Sequence, residues 1–235
     1  NISESEPDRV AELLEGQAGA SPEWDERILG VLYWHQAAAD SERLESLFHR
    51  LATEPERDWA FICGAFQTFI HNHCYRRSRG VDVACRAVGR WLEILAHADS
   101  GPELFSQDRE TQKVLSEHDL AELAKRAPDA FVNATIAPWL ELLEHAADRD
   151  SDPPYDDRIW RGGFRELTHW VPEALIISLV AALKRTAASY PALLRSAIDQ
   201  LSASECQTAH AVLVRALAIE DGAWKSVAID YLVAS

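Results

Sequence analysis

Apolar residues in this chain recur at spacings of three and four from one end to the other, with no sustained alternation at a spacing of two. That periodicity restricts the fold to one built from helices, each with an apolar face that another helix must cover. Punctuation marks the helices out. Ser21-Pro22-Glu23 combines a capping serine, a proline at the first helical position and acidic residues in the first turn. From it Trp24, Ile28, Val31, Leu32 and His35 recur at spacings of three and four.

Further helices are expected from Pro7 to Gly16, after Asp40 or Ser41, from Arg57 to Arg77, and from Val81 to His97 once Arg79-Gly80 has broken the chain. The polar stretch 103–126 holds one or two short helices, the better one opening at Ser116. Pro128-Asp129 opens another, within which Pro138 is expected to kink or split the helix, because it lacks an amide donor. Beyond the double glycine Gly162-Gly163, a short helix to Trp170 precedes helices at 171–187, 191–201, 204–218 and from Ala223 onward.

Two stretches recur. Trp91-Leu92-Glu93-Ile94-Leu95-Ala96-His97-Ala98 returns as Trp139-Leu140-Glu141-Leu142-Leu143-Glu144-His145-Ala146, and Ala197–Ser204 returns as Ala228–Ser235. Periods of a few tens of residues belong to stacked helix pairs, since one pair cannot bury its own apolar face. The fold expected is all-α, an irregular HEAT-like α-solenoid of stacked antiparallel helix pairs. It divides into an N-terminal array, 1–150, and a C-terminal segment, 158–235. The acidic Pro-containing loop 148–157 joins them as an exposed connector, or the two form one continuous array.

Charge narrows the partners. The net charge of −15 opposes nucleic acid and anionic membrane surfaces. It is unevenly spread: residues 1–58 and 101–157 each carry 14 acidic and 5 basic groups. No apolar run is long enough to span a bilayer, and four cysteines make no disulfide framework in a chain of 235 residues. Cytoplasm is the expected compartment. The chain opens on Asn1 without methionine and closes on an apolar helical pattern, so a piece of a longer protein is expected.

Candidate chemistry is sparse. His71-Asn72-His73-Cys74, with Cys63 and Cys85 eleven residues to either side of Cys74, is the stretch an α-helical enzyme or metal-binding protein would use. Zinc prefers closely spaced ligand pairs, however, and Cys-x-x-Cys is absent. Glu166-Leu167-Thr168-His169 is a single copy of an element that di-iron bundles need twice. The acidic loop lacks the spacing and glycine of an EF-hand. Nucleophile, dinucleotide and P-loop motifs are missing, and no cofactor is expected.

Two groups of residues are candidates for binding a partner. Arg76, Arg77 and Arg79 lead a basic cluster beside Tyr75 that suits a phosphate or an acidic partner, unless its cations only complement a helix C-terminus. Trp160 and Trp170 flank the double glycine and would anchor a partner protein if exposed. The other tryptophans, such as Trp59, Trp91, Trp139 and Trp224, fall on apolar faces and are expected in the core.

The C-terminal run Gly222-Ala223-Trp224-Lys225-Ser226-Val227-Ala228-Ile229-Asp230-Tyr231-Leu232 resembles helix ends in the helical-repeat regions of large bacterial STAND-type NTPases, signalling and antiphage-defence proteins. The resemblance extends over the chain from Gly162 onward. It implies a sensor array whose nucleotide hydrolysis resides in a separate domain. Together these readings point to a non-catalytic helical-repeat module that binds another protein, a ligand or another domain of its own chain. The alternatives are the helical enzyme or metal protein, and a structural spacer.

Overall fold

The structure, a computed structural model, describes residues 7–34, 41–55, 57–76, 78–150, 152–157, 159–160 and 170–218, together with 224, 226–227, 229 and 231. It is all-α. Twelve helices lie among the described residues: α1 Pro7–Glu15, α2 Pro22–Trp34, α3 Glu42–Ala52, α4 Trp59–Cys74, α5 Ser78–His97, α6 Gly101–Gln107, α7 Arg109–Val114, α8 Glu117–Arg126, α9 Pro128–Ala146, α10 Val171–Ser189, α11 Pro191–Ala203 and α12 Gln207–Leu217. None is long and apolar enough to cross a membrane.

Several starts follow the local chemistry of caps. The Asp58 carboxylate accepts the Phe61 amide at 2.7 Å, Asp108 accepts that of Thr111 at 2.7 Å, and the Ser116 hydroxyl accepts that of Asp119 at 3.0 Å. Three expectations need correction. Arg79-Gly80 is no break, because α5 already begins at Ser78. Gly80 is buried in its first turn, where a Cβ would come within 2.8 Å of Arg76 Cβ. The stretch 101–126 forms three helices, not one or two. Pro138 neither splits α9 nor ends it.

The reason for the last lies across the helix interface. A proline at 138 leaves the carbonyl of Ala134 without its helical donor. That oxygen faces Gly89 of α5, so closely that a Cβ on Gly89 would meet it at 2.2 Å. The missing side chain lets the two backbones meet where α9 is weakest, and packing carries the helix through its proline.

The α5–α9 seam is the most extensive among the described helices. Asp129 acts on Asp82 at one end, Gly89 meets Ala134 midway, and His97 Nε2 lies 3.6 Å from Glu141 Oε1 at the other. The two helices that carry the repeated tryptophan motif therefore run parallel, side by side. Trp91 and Trp139 are both fully buried, and both leave the indole N–H without a partner. An aromatic chain runs from the seam into α4 and α3: Trp91 lies 5.4 Å from Phe66, which meets Phe48 at 5.4 Å, and Phe48 stacks on Phe69 at 3.8 Å. Helices beyond the acidic loop join the same core, α10 packing on α8 and α9.

The loop itself is not a free connector. The Asp148 amide donates to the Asp156 carbonyl, and Tyr155 exchanges backbone hydrogen bonds with Glu205 and Gln207 across the α11–α12 junction. Asp157 is buried, and its carboxylate accepts the amides of Ile159 at 3.0 Å and Trp160 at 2.6 Å as well as the Thr208 hydroxyl. The acidic stretch works as a strap tying α9 to α12. Its far partners lie some fifty residues on, out of reach of local sequence reading.

Candidate partner-binding surface

The residues with reactive or ligating side chains do not assemble. The four cysteines are buried free thiols. Burial pushes Cys63 and Cys74 up to about 12 and raises Cys85 as well, so none of these is a ready thiolate. Of the His71–Cys74 stretch, His73 and Cys74 face the core while His71 is exposed. His73 donates through Nδ1 to the Phe69 carbonyl at 2.8 Å and stacks on the Phe69 ring. Burial lowers its pKa to about 4 and keeps it neutral. His71 Nδ1 lies 3.2 Å from Asp119 Oδ1, which also accepts the Tyr75 hydroxyl at 2.8 Å. Among the described residues no three His, Cys, Asp or Glu side chains come together as a metal site would need. Glu166–His169 and the short helix expected there lie outside the described residues.

Trp160 is buried, at 7% exposure, which corrects its reading as an exposed anchor. The Asp157 turn draws it inward, its indole N–H donates to the Pro172 carbonyl at 2.7 Å, and its ring packs edge-on against Trp139 and near Phe105. Trp170 is half-buried at the start of α10, donating to the Ser106 carbonyl at 3.3 Å.

Within the basic cluster, Arg76 serves a helix end. The Arg76 guanidinium donates to the carbonyl of Trp34, the last residue of α2. Arg126 in turn donates to the carbonyls of Cys74 and Arg76 at the end of α4. Cations at helix C-termini satisfy orphan carbonyls and complement the macrodipole. Arg86 grips Glu45 through two nitrogens, and Arg90 pairs with Glu93 at 2.7 Å. Arg77 and the side chain of Arg79 lie outside the described residues.

Arg76 thus leads to a surface that sequence reading missed. α2 buries Asp25, Ile28, Leu29 and Leu32. Its opposite face presents Trp24 at 45%, Val31 at 38% and Trp34 at 68% exposure. With Arg27, whose guanidinium lies 5.3 Å from the Trp24 ring centroid, these residues stand at 24, 27, 31 and 34, one continuous helical stripe. Glu23 and Glu26 border it, and Gly30 leaves open space between Arg27 and Trp34: a Cβ there would meet nothing within 4 Å. Trp24 and Val31, which the spacing groups with buried Ile28 and Leu32, lie instead on this exposed side. The helix has apolar residues on two faces, and among the described residues only one of them is buried against a neighbour. The signal was present as an excess, since α2 holds more large apolar residues than a single face can bury.

Elsewhere among the described residues, Leu13, Tyr75, Tyr190, Val214 and Ile229 are exposed singly, which is ordinary. A groove of about 840 Å³ lies at the α11–α12 junction, walled by Pro153, Pro154, Glu205, Val214 and the hydrogen-bonded pair His210 and Tyr231. Comparison of the chain with protein-family models, with curated proteins and with solved structures returned no match.

Proposed function

We propose that this chain is a non-catalytic helical-repeat module, an irregular HEAT-like α-solenoid, that binds another protein or another domain of its own chain through the outward face of α2. The observation that carries the reading is the stripe Trp24–Val31–Trp34, three large apolar side chains held in water on one helix whose end Arg76 clamps. Contiguous apolar patches of this kind mark interaction sites, and tryptophan leads binding hot spots. Parallel packing of the two motif-bearing helices, α5 and α9, supports repetition, because corresponding helices of successive repeats stack side by side. The resemblance of the C-terminal run to STAND sensor repeats agrees with a sensing role inside a larger, signalling or antiphage, bacterial protein. Four unpaired thiols suit a reducing compartment, the cytoplasm.

Photo-cross-linking tests the reading. A benzoyl-phenylalanine placed at Gly30 is expected to give a discrete adduct in a lysate of the source cell, absent when Trp24→Ser and Trp34→Ser are added. The same group at Gly64, exposed with open space on α4, serves as the control. Equal adducts from both sites, or none from Gly30, would remove α2 as an interaction face.

A further inference from the structure

Resting on that reading, we infer that the partner seated on α2 is a short cationic amphipathic helix. Area sets its size. With about 150–250 Å² per large aromatic side chain, Trp24 at 45%, Trp34 at 68% and part of Val31 offer on the order of 300 Å² of apolar surface. Pairing of two folded proteins takes about 800 Å² from each side, of which roughly 450 Å² is apolar. The stripe is therefore too small for a second copy of this chain, and it matches a single helix. Its length agrees: Trp24 to Trp34 spans about 15 Å at the helical rise, which three turns of a partner cover.

Charge sets the sign. Glu23 and Glu26 border the stripe, and the sequence of residues 1–58 carries 14 acidic groups against 5 basic ones. Three of the five basic ones act on carboxylates of this same region, each offsetting one, so the excess stays 14 − 5 = 9 before Arg76 at the Trp34 end is counted. Arg43 is paired with Glu15, Arg57 lies 3.7 Å from Glu26 and 3.8 Å from Glu54, and Arg27 leans over Trp24 while acting on Glu23. A partner with lysine or arginine beside its apolar stripe is drawn in by this field, and one with carboxylates there is repelled. Relief completes the match. The space over Gly30 receives an apolar side chain of the partner between Arg27 and Trp34, and partner residues a turn away on either side meet the two indoles.

Fluorescence anisotropy with two labelled peptides tests the inference on the whole chain. Both are helical and share one stripe of leucines, and their polar positions are all lysine in one and all glutamate in the other. The lysine peptide is expected to bind at least about tenfold more tightly than the glutamate peptide, and raising the salt to about 0.5 M is expected to weaken it. The Trp24→Ser/Trp34→Ser double variant should weaken it about thirtyfold. Gly30→Gln, which enters the open space and whose Cβ meets nothing within 4 Å, should weaken it about tenfold.

Equal binding by the parent chain and the double variant means diffuse attraction to an acidic protein and overturns the inference. A glutamate peptide bound on the same face as tightly as the lysine one overturns the cationic class and leaves the interaction reading standing. Concentration-dependent dimerisation that the double variant abolishes assigns the face to a second copy. Failure of both peptides to bind also overturns the cationic helix, while the cross-link from Gly30 separately decides whether α2 is an interaction face.

Discussion

Two pairs of tryptophans divide this molecule. Trp91 and Trp139 sit at the α5–α9 seam, fully enclosed, each with an indole N–H that finds no partner. Trp24 and Trp34 lie on α2 with about half to two thirds of their surface in water. All four occupy apolar positions in helical patterns. What separates them is whether another helix arrives. At the seam Gly89 lets α5 and α9 approach until backbone meets backbone, and the gain in packing outweighs two unpaired N–H groups. Among the described residues nothing comparable approaches the outward face of α2. The same residue type is therefore structure in one place and available binding surface in the other.

Removing a seam tryptophan should show the contrast at its largest. Trp139→Ala is expected to lower unfolding free energy by about 3–5 kcal/mol in urea titration. A loss under about 1 kcal/mol would mean that the seam is not the centre of the core. Gly89→Ala attacks the same seam from the other side, by insertion. A Cβ at 2.2 Å from the Ala134 carbonyl forces the helices apart, and the expected loss is about 3 kcal/mol. If Gly89→Ala folds with unchanged stability, the close approach that carries α9 through Pro138 does not exist.

His73 sharpens the comparison through pH. Its folded pKa of about 4 lies below the ordinary 6.5, because burial disfavours the charged ring and Nε2 has no partner to receive a proton's hydrogen bond. Between those two values the unfolded chain binds the proton and the folded one does not, so stability falls as pH drops from about 6.5 towards 4. The effect is of order 3 kcal/mol, and below the folded value this group contributes no further loss. Stability of His73→Gln, followed by denaturant titration across that window, should show a flatter profile. A profile as steep as that of the parent would assign the acid sensitivity to other groups. Glu45, held low by His49 and Arg86 against the opposing effect of burial, acts in the same direction at more acid pH.

The smallest effect is expected on α2. Trp34→Ser removes the most exposed of these indoles and should change stability by no more than about 0.5 kcal/mol. A loss near 2 kcal/mol would place Trp34 in the core after all and erase the distinction between the two pairs.

Much of this was legible. Ser116 capped the helix it was expected to cap, Pro22, Pro128 and Pro172 stand in the first turns of their helices, and the repeated motif fell on two helices of matching kind. The second copy of the other echo, from Ala228 onward, lies mostly outside the described residues. The misreadings share one cause. Trp24 shares its spacing with Ile28 but not its burial, because periodicity tells which residues recur together, not which side is covered. Trp160 looked exposed beside polar residues, yet Asp157, itself held by distant Thr208, folds it onto Trp139. The acidic loop looked free because its hydrogen-bond partners, Glu205 and Gln207, are remote in sequence.

What the sequence determined by itself is the class of element and most of its boundaries: spacings of three and four, caps and prolines act within one or two turns, where the chain's own geometry brings the groups together. The tertiary structure alone decided which apolar faces meet, that Pro138 lies within an unbroken helix, and that the indoles of α2 remain in water. Those outcomes depend on contacts between segments remote in sequence, such as Gly89 against Ala134 and Asp157 against Thr208. Packing energy of that kind belongs to pairs of surfaces and is carried by no local pattern.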